Sequence, residues 1–325
     1  MKAIICTRYG PPDVLKMVDM DRPVAGNDQV LIKVHYTTVT VADSRVRGFN
    51  VPPSFWLPAK LALGWSKPKR AILGTELSGV IEAVGKNVKR FRVGDEVFAF
   101  PGEKGGGYAE FMCMNENDCI APKPVGLGFD QAAALSLGAM TALYFLQKGK
   151  VAKGERILIY GASGSMGTAA VQIAKYLGAE VTGVCSTTNL ELVRHLGADE
   201  VIDYTTTDFT AMGKRYDVVF DTVGKTNANK VAKCINAGGR YLHAVATPGT
   251  TFLSRLALMG TGIPFIGGTE KGTIAKLDFI KKLAEEGSFK PVIDRHYRFD
   301  EMVAAHAYVD QGHKKGNVVI QVSGT

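Results

Sequence analysis

The chain has 325 residues, enough for two domains that each bury a core of their own. With 46% hydrophobic and 22% charged residues it reads as an ordinary globular protein, which excludes disordered and fibrous classes. The net charge of +8 admits anionic ligands, but the cations are scattered and the densest clusters, Lys67-Pro-Lys-Arg70 and Lys314-Lys315, are short, so a solvated basic surface is favoured over a nucleic-acid site. Five cysteines (Cys6, Cys113, Cys119, Cys185, Cys234) stand apart without a C-x-x-C pair. That pattern argues against a disulfide framework or structural zinc and fits a reducing compartment. A strand-like pattern begins at Met1-Lys-Ala-Ile-Ile-Cys6, so no leader is expected, and the most apolar stretch, Ala132 to Leu146, is too short to cross a bilayer. Cytoplasmic placement is the expectation.

Residues 1 to about 123 are expected to be all-β. Val30 to Tyr36 approaches period two, and Leu77 to Val84, Glu96 to Phe100 and Tyr108 to Met114 are further strand candidates between glycine turns. Such a series suggests a barrel or a sandwich. His35 lies on the more polar face of its strand and is expected to be a surface histidine. Phe49 to Leu73 breaks the pattern; Ala59 to Trp65 is read as one or two helical turns. There Phe55, Trp56 and Trp65 either cap a pocket or bury their rings against the β domain.

From about residue 125 the pattern becomes βαβ. Gln131 to Lys148 is read as one helix. Ile157 to Tyr160 is a short apolar strand, and Ala162-Ser-Gly-Ser-Met-Gly167 then matches G-x-G-x-x-G with alanine in the first slot. That turn must leave a strand sharply, let backbone approach a pyrophosphate, and open a helix whose N–H groups hold the anion. Thr168 to Gly178 supplies the helix. Strands at Glu180 to Cys185, Glu200 to Asp203, Tyr216 to Asp221 and Arg240 to Ala246, with helices at Asn189 to Leu196 and Asn227 to Asn236, predict a doubly wound parallel sheet. Thr273 to Glu286 is an amphipathic helix and Asn317 to Val322 a closing strand.

The choice of dinucleotide is read at the end of the second sheet strand. Val184-Cys-Ser-Thr-Thr188 carries no acid for the ribose hydroxyls, so a 2′-phosphate is tolerated, with Ser186, Thr187 and Tyr204 as donors. Thr188-Asn-Leu-Glu191 also spells a capping box, which would turn the Thr188 hydroxyl to the helix instead. No Lys or Arg lies inside the turn. NADPH is predicted over NADH.

The succession of parts resembles the medium-chain dehydrogenase/reductase superfamily, and within it the zinc-independent quinone oxidoreductase and alkenal reductase branch to which zeta-crystallin belongs. The carriers are Gly74-Thr-Glu-Leu-Ser-Gly-Val80, Val93-Gly-Asp-Glu-Val97, Gly106-Gly-Tyr-Ala-Glu110, the glycine turn with Gln172 and Lys175, Leu196-Gly-Ala-Asp199, and Gly312-His-Lys-Lys-Gly-Asn-Val-Val-Ile320. The resemblance implies an α/β protein with a GroES-like β-barrel domain from residues 1–124 and 269–325, and a doubly wound parallel-sheet Rossmann domain from 125–268. It implies that Ser163, Gly164, Ser165 and Met166 wrap the pyrophosphate, with Gly167 completing the cofactor turn by letting the helix pack on the strand, and that Thr141 lies beside the nicotinamide. Val223 would face the adenosine, Val245 the carboxamide and Asn317 the nicotinamide end. Thr40, where relatives commonly have Asn, with Phe55 and Trp56, forms the expected substrate pocket.

The zinc-dependent members carry His where this chain has Thr75, and Val39-Thr-Val-Ala-Asp43 lacks their cysteine ligand. The resemblance therefore implies no metal. It implies hydride transfer from NADPH to a quinone or to the C=C bond of an α,β-unsaturated carbonyl, with no proton donor named. Two alternatives stand beside it: an enoyl-thioester reductase, and an NADPH-binding sensor, structural or RNA-binding protein with little turnover. Contact with nucleic acid or membrane is not expected. A homodimer through Thr251 to Gly268 is.

Overall fold

The computed structural model describes residues 1–51, 56–245 and 248–323; Phe55 lies outside the described residues. The chain divides into two compact units, one of Met1–Leu137, Lys271–Glu285 and Pro291–Thr325, the other of Gly138–Glu270 and Glu286–Lys290.

The first unit is built on a seven-stranded sheet. Its path runs Ile293–Arg298, Asn317–Gln321, Gln29–Val39, Leu77–Val84, Glu96–Ala99, Ile120–Pro122, and Phe111–Asn115 pairs beside Gln29–Val39. Gln29–Val39 is long enough to hold partners along its length: its first half pairs with Phe111–Asn115 and its last residues with Asn317–Gln321. Inward residues Ile32, Val34, Leu77, Ile81, Val97, Val318 and Ile320 form the core, closed by Met302, Ala305 and Val309 of the helix Met302–Asp310.

His35 is not a surface residue. The helix Phe129–Ala133 covers that face of the strand, and His35 is buried with its ring stacked 4.5 Å from Phe129. Burial holds its pKa below the usual range. The expected helix from Gln131 to Lys148 is also two helices, Phe129–Ala133 and Leu137–Lys148. The break is paid for by side chains: Leu137 N donates to the Glu76 carboxylate, and Ser136 Oγ to Ala99 O.

The second unit holds six parallel strands in the order Glu200–Asp203, Glu180–Cys185, Arg156–Tyr160, Tyr216–Asp221, Ile235–His243, Phe265–Ile266. The two middle strands are buried on both faces, which is why they read as unbroken apolar runs: Ile157, Leu158, Ile159, Val218, Val219 and Phe220 have no exposed surface. The fifth strand begins at Ile235, earlier than the pattern suggests, because Ile235 pairs with Tyr216. The helix before it is cut to Ala228–Ala232, capped by Asn227 Oδ1 accepting from Asn229 N and Lys230 N. Residues 286–290 join this unit through Gln172, whose side chain accepts from Lys290 N and donates to Lys290 O.

Candidate dinucleotide site

Arg156–Tyr160 lies between Glu180–Cys185 and Tyr216–Asp221, so its C-terminal end opens where the strand order reverses. Gly161 follows at φ +83°, and a Cβ there would sit 2.2 Å from Val223 Cγ2. The left-handed turn residue is thus Gly161, one place ahead of the slot that Ala162 fills. The other two glycines differ from each other. A Cβ on Gly167 would stand 2.0 Å from Gly161 O, so only glycine lets the helix Ser165–Tyr176 lie on its strand. A Cβ on Gly164 would meet nothing nearer than Gly161 O at 3.7 Å. Gly164 is the N-cap in ordinary extended geometry, and no side chain caps the helix. The helix therefore starts without a side-chain cap, with the Cβ position of Gly164 clear, beside Ser163, Ser165 and Met166.

The serine turn adjoins this space through a residue that the sequence reading missed. Buried Asn189 donates from Nδ2 to Ser163 Oγ (3.1 Å) and to Ser186 Oγ (3.0 Å), joining the glycine turn to the end of the second strand. The capping box from Thr188 to Glu191 does not form. Ser186 stands at the N-cap position of a 3-10 turn, Thr187–Asn189, without a side-chain cap bond, ahead of the helix Leu190–His195, and Thr188 Oγ1 lies 3.5 Å from Ser186 Oγ. A carboxylate does reach the turn, from the neighbouring strand. Thr187 Oγ1 donates to Asp203 Oδ2 at 2.5 Å, and Thr205 N and Oγ1 donate to Asp203 Oδ1. Hydrogen bonds from Thr187 and Thr205 hold the Asp203 carboxyl below the ordinary range.

Thr205 and exposed Tyr204 line a cavity of about 630 Å³ whose far wall is Lys225, Thr226 and Asn227. The other cation on its wall, Lys230, pairs with Asp208 at 3.1 Å. Lys225 has no acidic partner among the described residues. Buried Asp221 shapes the loop that carries Lys225: Oδ1 accepts from Val223 N and Gly224 N, and Oδ2 from Thr226 N and Oγ1. Val245 packs against Gly224, where a Cβ would lie 3.0 Å from Val245 Cβ. Thr141 shares a face of Leu137–Lys148 with Gly138, whose missing Cβ makes room for Ser165 Oγ. The structure thus gathers Ser163 to Gly167, Ser186, Thr187, Tyr204, Val223 and Val245 on neighbouring loops of one unit. Asn317 belongs to the other unit, where its N and Nδ2 both donate to Val292 O.

The polar centre of the first unit is arranged differently. Thr40 caps the helix Val41–Gly48, donating from Oγ1 to Asp43 Oδ2 at 2.6 Å and accepting from Asp43 N. Asp43 is buried and also accepts from Thr40 N and Gly74 N; burial raises its pKa, opposed by those hydrogen bonds. Glu76 is fully buried, accepts from Thr38 Oγ1 at 2.6 Å, and burial pushes its carboxyl up to about 7. Beneath them Arg47 donates to Gly10 O, His306 Nδ1 and Asp310. Tyr108 OH lies 3.1 Å from His306 Nε2, and burial next to Arg47 takes that imidazole down to about 3.

The model of the alcohol dehydrogenase GroES-like domain matches residues 26–125, and that of the zinc-binding dehydrogenase matches 196–320. A 2-methylene-furan-3-one reductase of Solanum lycopersicum is 33% identical over 98% of this chain and 79% of its own length. The chain belongs to the medium-chain dehydrogenase/reductase superfamily. An NADPH-dependent alkenal/one oxidoreductase of Arabidopsis thaliana, named as chloroplastic, is 32% identical over 98% of this chain and 79% of its own. The solved quinone oxidoreductase of Coxiella burnetii superposes with a TM-score of 0.88 at 29% identity, covering 99% of both chains. The two units are accordingly a GroES-like domain and a Rossmann-like domain.

The family description raises zinc, and the residues present do not fit it. Thr40 and Thr75 offer hydroxyls already turned to Asp43, and among the described residues no group of three or more His, Cys, Asp or Glu is placed to hold a metal ion. The same test favours a dinucleotide: the uncapped helix start and the free side of Gly164 form a cradle that a side chain would fill.

Proposed function

We propose that this chain is an NADPH-dependent reductase that delivers hydride, without zinc, to a quinone or to the C=C bond of an α,β-unsaturated carbonyl. The observation that carries the reading is the contrast at the glycine turn. Gly167 is required by packing, whereas Gly164 is required by nothing in the protein and so points to a ligand. The printed activities of the relatives support the acceptor class.

In this reading Ser163 to Met166 hold the pyrophosphate, Val223 and Tyr204 flank the adenosine, and Val245, Thr141 and Asn317 bound the nicotinamide. The nicotinamide supplies the hydride when bound. Ser186 presents its hydroxyl to the 2′-phosphate, the Thr187 proton being taken by Asp203, and Lys225 supplies the cation that the turn itself lacks. Asp203, kept ionised by Thr187 and Thr205, is the opposing charge that Lys225 has to offset. Thr40 and Phe55 are the acceptor-side residues, while Trp56, 52% exposed, is left to the surface. Thr40 contributes apolar surface rather than a donor, since its proton goes to Asp43.

An acceptor that spreads its own negative charge suits such a site, which has no Lewis acid to polarise a simple ketone. A homodimer fits the exposed Phe252, Leu253, Leu256 and Met259 on and beside the helix Pro248–Ala257, next to the edge strand Phe265–Ile266. Among the described residues no helix is long and apolar enough to cross a membrane, and placement in the cytoplasm is part of the proposal. The test is NADPH consumption against a quinone, an enone, an enal, crotonyl-CoA and a simple ketone, each with and without chelator. Chelator-insensitive turnover of quinone or enone is expected; ketone turnover lost on chelation would contradict the metal-free reading.

A further inference from the structure

The helix Trp56–Leu63 breaks the rule that apolar helices are buried. Of its eight residues only Lys60 is polar, yet none is buried. Trp56, Leu57 and Leu61 are 52%, 57% and 63% exposed, and Trp65, just past the helix, is 64% exposed. The helix is tied down by Lys60 within it and Lys69 beyond it. Lys60 Nζ stands 4.2 Å from the Phe49 ring, 4.6 Å from Tyr9 and 5.1 Å from Trp56, and it donates to Trp65 O. Lys69 Nζ donates to Leu61 O.

The segment that carries this face has charge of one sign. Between Asp43 and Glu76 the chain carries no acid and six cations: Arg45, Arg47, Lys60, Lys67, Lys69 and Arg70. Arg47 is buried in its pair with Asp310. Lys67, Lys69 and Arg70 are exposed and have no ion-pair partner among the described residues.

We propose that this face docks on an anionic lipid surface, with the helix lying in the headgroup plane. Exposed tryptophans and leucines flanked by lysine and arginine suit the boundary between headgroups and acyl chains. At eight residues, about 12 Å, the helix is too short to span a bilayer. A second copy packed through the same face about a two-fold axis would bring both sets of cations together, which disfavours it. A nucleic acid would meet the cations but leave Leu57 and Leu61 in water. The inference does not rest on the reductase reading, although it would place the protein where lipophilic acceptors dissolve.

Trp56 and Trp65 are the only tryptophans in the chain, so intrinsic emission reads this face directly. The whole protein is titrated with vesicles of phosphatidylcholine alone and of phosphatidylcholine with phosphatidylglycerol. The expected result is a blue-shifted emission shielded from acrylamide with anionic vesicles only, reversed by salt. The Lys67→Glu, Lys69→Glu, Arg70→Glu triple variant should partition roughly 100-fold less, at unchanged NADPH affinity. Should that variant not fold, the wild-type comparison of vesicles and salt decides alone. Emission unmoved by anionic vesicles overturns the proposal. So does an equal shift with neutral vesicles, or a blue shift that grows with protein concentration in buffer, which would assign the face to a second copy.

Discussion

The two polar centres of this molecule use hydrogen bonds in opposite ways. At Thr40, Thr75, Asp43 and Glu76 the donors and acceptors are turned on one another: a threonine caps a helix with an aspartate, and a buried glutamate takes a threonine hydroxyl and a helix-start amide. At the glycine turn the helix start has no side-chain cap, and a Cβ on Gly164 would meet nothing nearer than Gly161 O at 3.7 Å. The first centre stabilises its own unit; the second leaves its donors for something else. A list of polar residue types would not separate the two, because threonine and serine dominate both.

The comparison breaks most sharply at Gly167. Gly167→Val puts a side chain against Gly161 O and should cost about 3 kcal/mol or more, seen as a large fall in Tm together with loss of NADPH binding. A variant with wild-type Tm would mean that the helix can move off its strand without cost.

Glu76 tests the self-satisfied centre through pH. Its folded pKa of about 7 lies above the ordinary 4.5, so the folded state binds more protons between those values and stability should fall as pH rises through that window. The size is about 3 kcal/mol at most, and Glu76→Gln should remove this falling contribution from the slope. Lys314, taken down to about 8 by burial, acts in the opposite sense above that pH, and His306, taken down to about 3, acts in the opposite sense up to about 6.5, so the difference in slope between wild type and variant from pH 5 to 7 isolates Glu76. An unchanged slope in the variant would show that Glu76 titrates normally.

Lys225 gives the smallest effect. Lys225→Ala should weaken NADPH about 10-fold and leave NADH unchanged, measured by cofactor fluorescence. Equal losses for both would move Lys225 from the phosphate to the adenine or to the loop.

Much of this was readable from residue order. The apolar run Ile157 to Tyr160, the glycine spacing and the alternating strands after 180 mark the Rossmann-like unit, because strands buried on both faces leave continuous hydrophobic signals. The helix break at Leu137 was not legible, since the acceptor that ends it, Glu76, lies 61 residues away. His35 was misjudged for the same reason: alternation marks faces of a strand, and only the packed helix Phe129–Ala133 buries the second one. At the site, the glycines were legible through backbone demands. Asn189, Asp203 and Lys225 were not, because they come from a 3-10 turn, a neighbouring strand and a distant loop that only the folded sheet brings to Ser186.

The central claim rests on Gly164, and one variant tests it. Gly164 has ordinary extended dihedrals and open space at its Cβ, so Gly164→Val should fold with a Tm close to wild type. Its NADPH Kd should nevertheless rise about 100-fold, because the side chain would fill the place of the pyrophosphate. A lowered Tm with unchanged NADPH affinity would make Gly164 a structural turn and contradict the account.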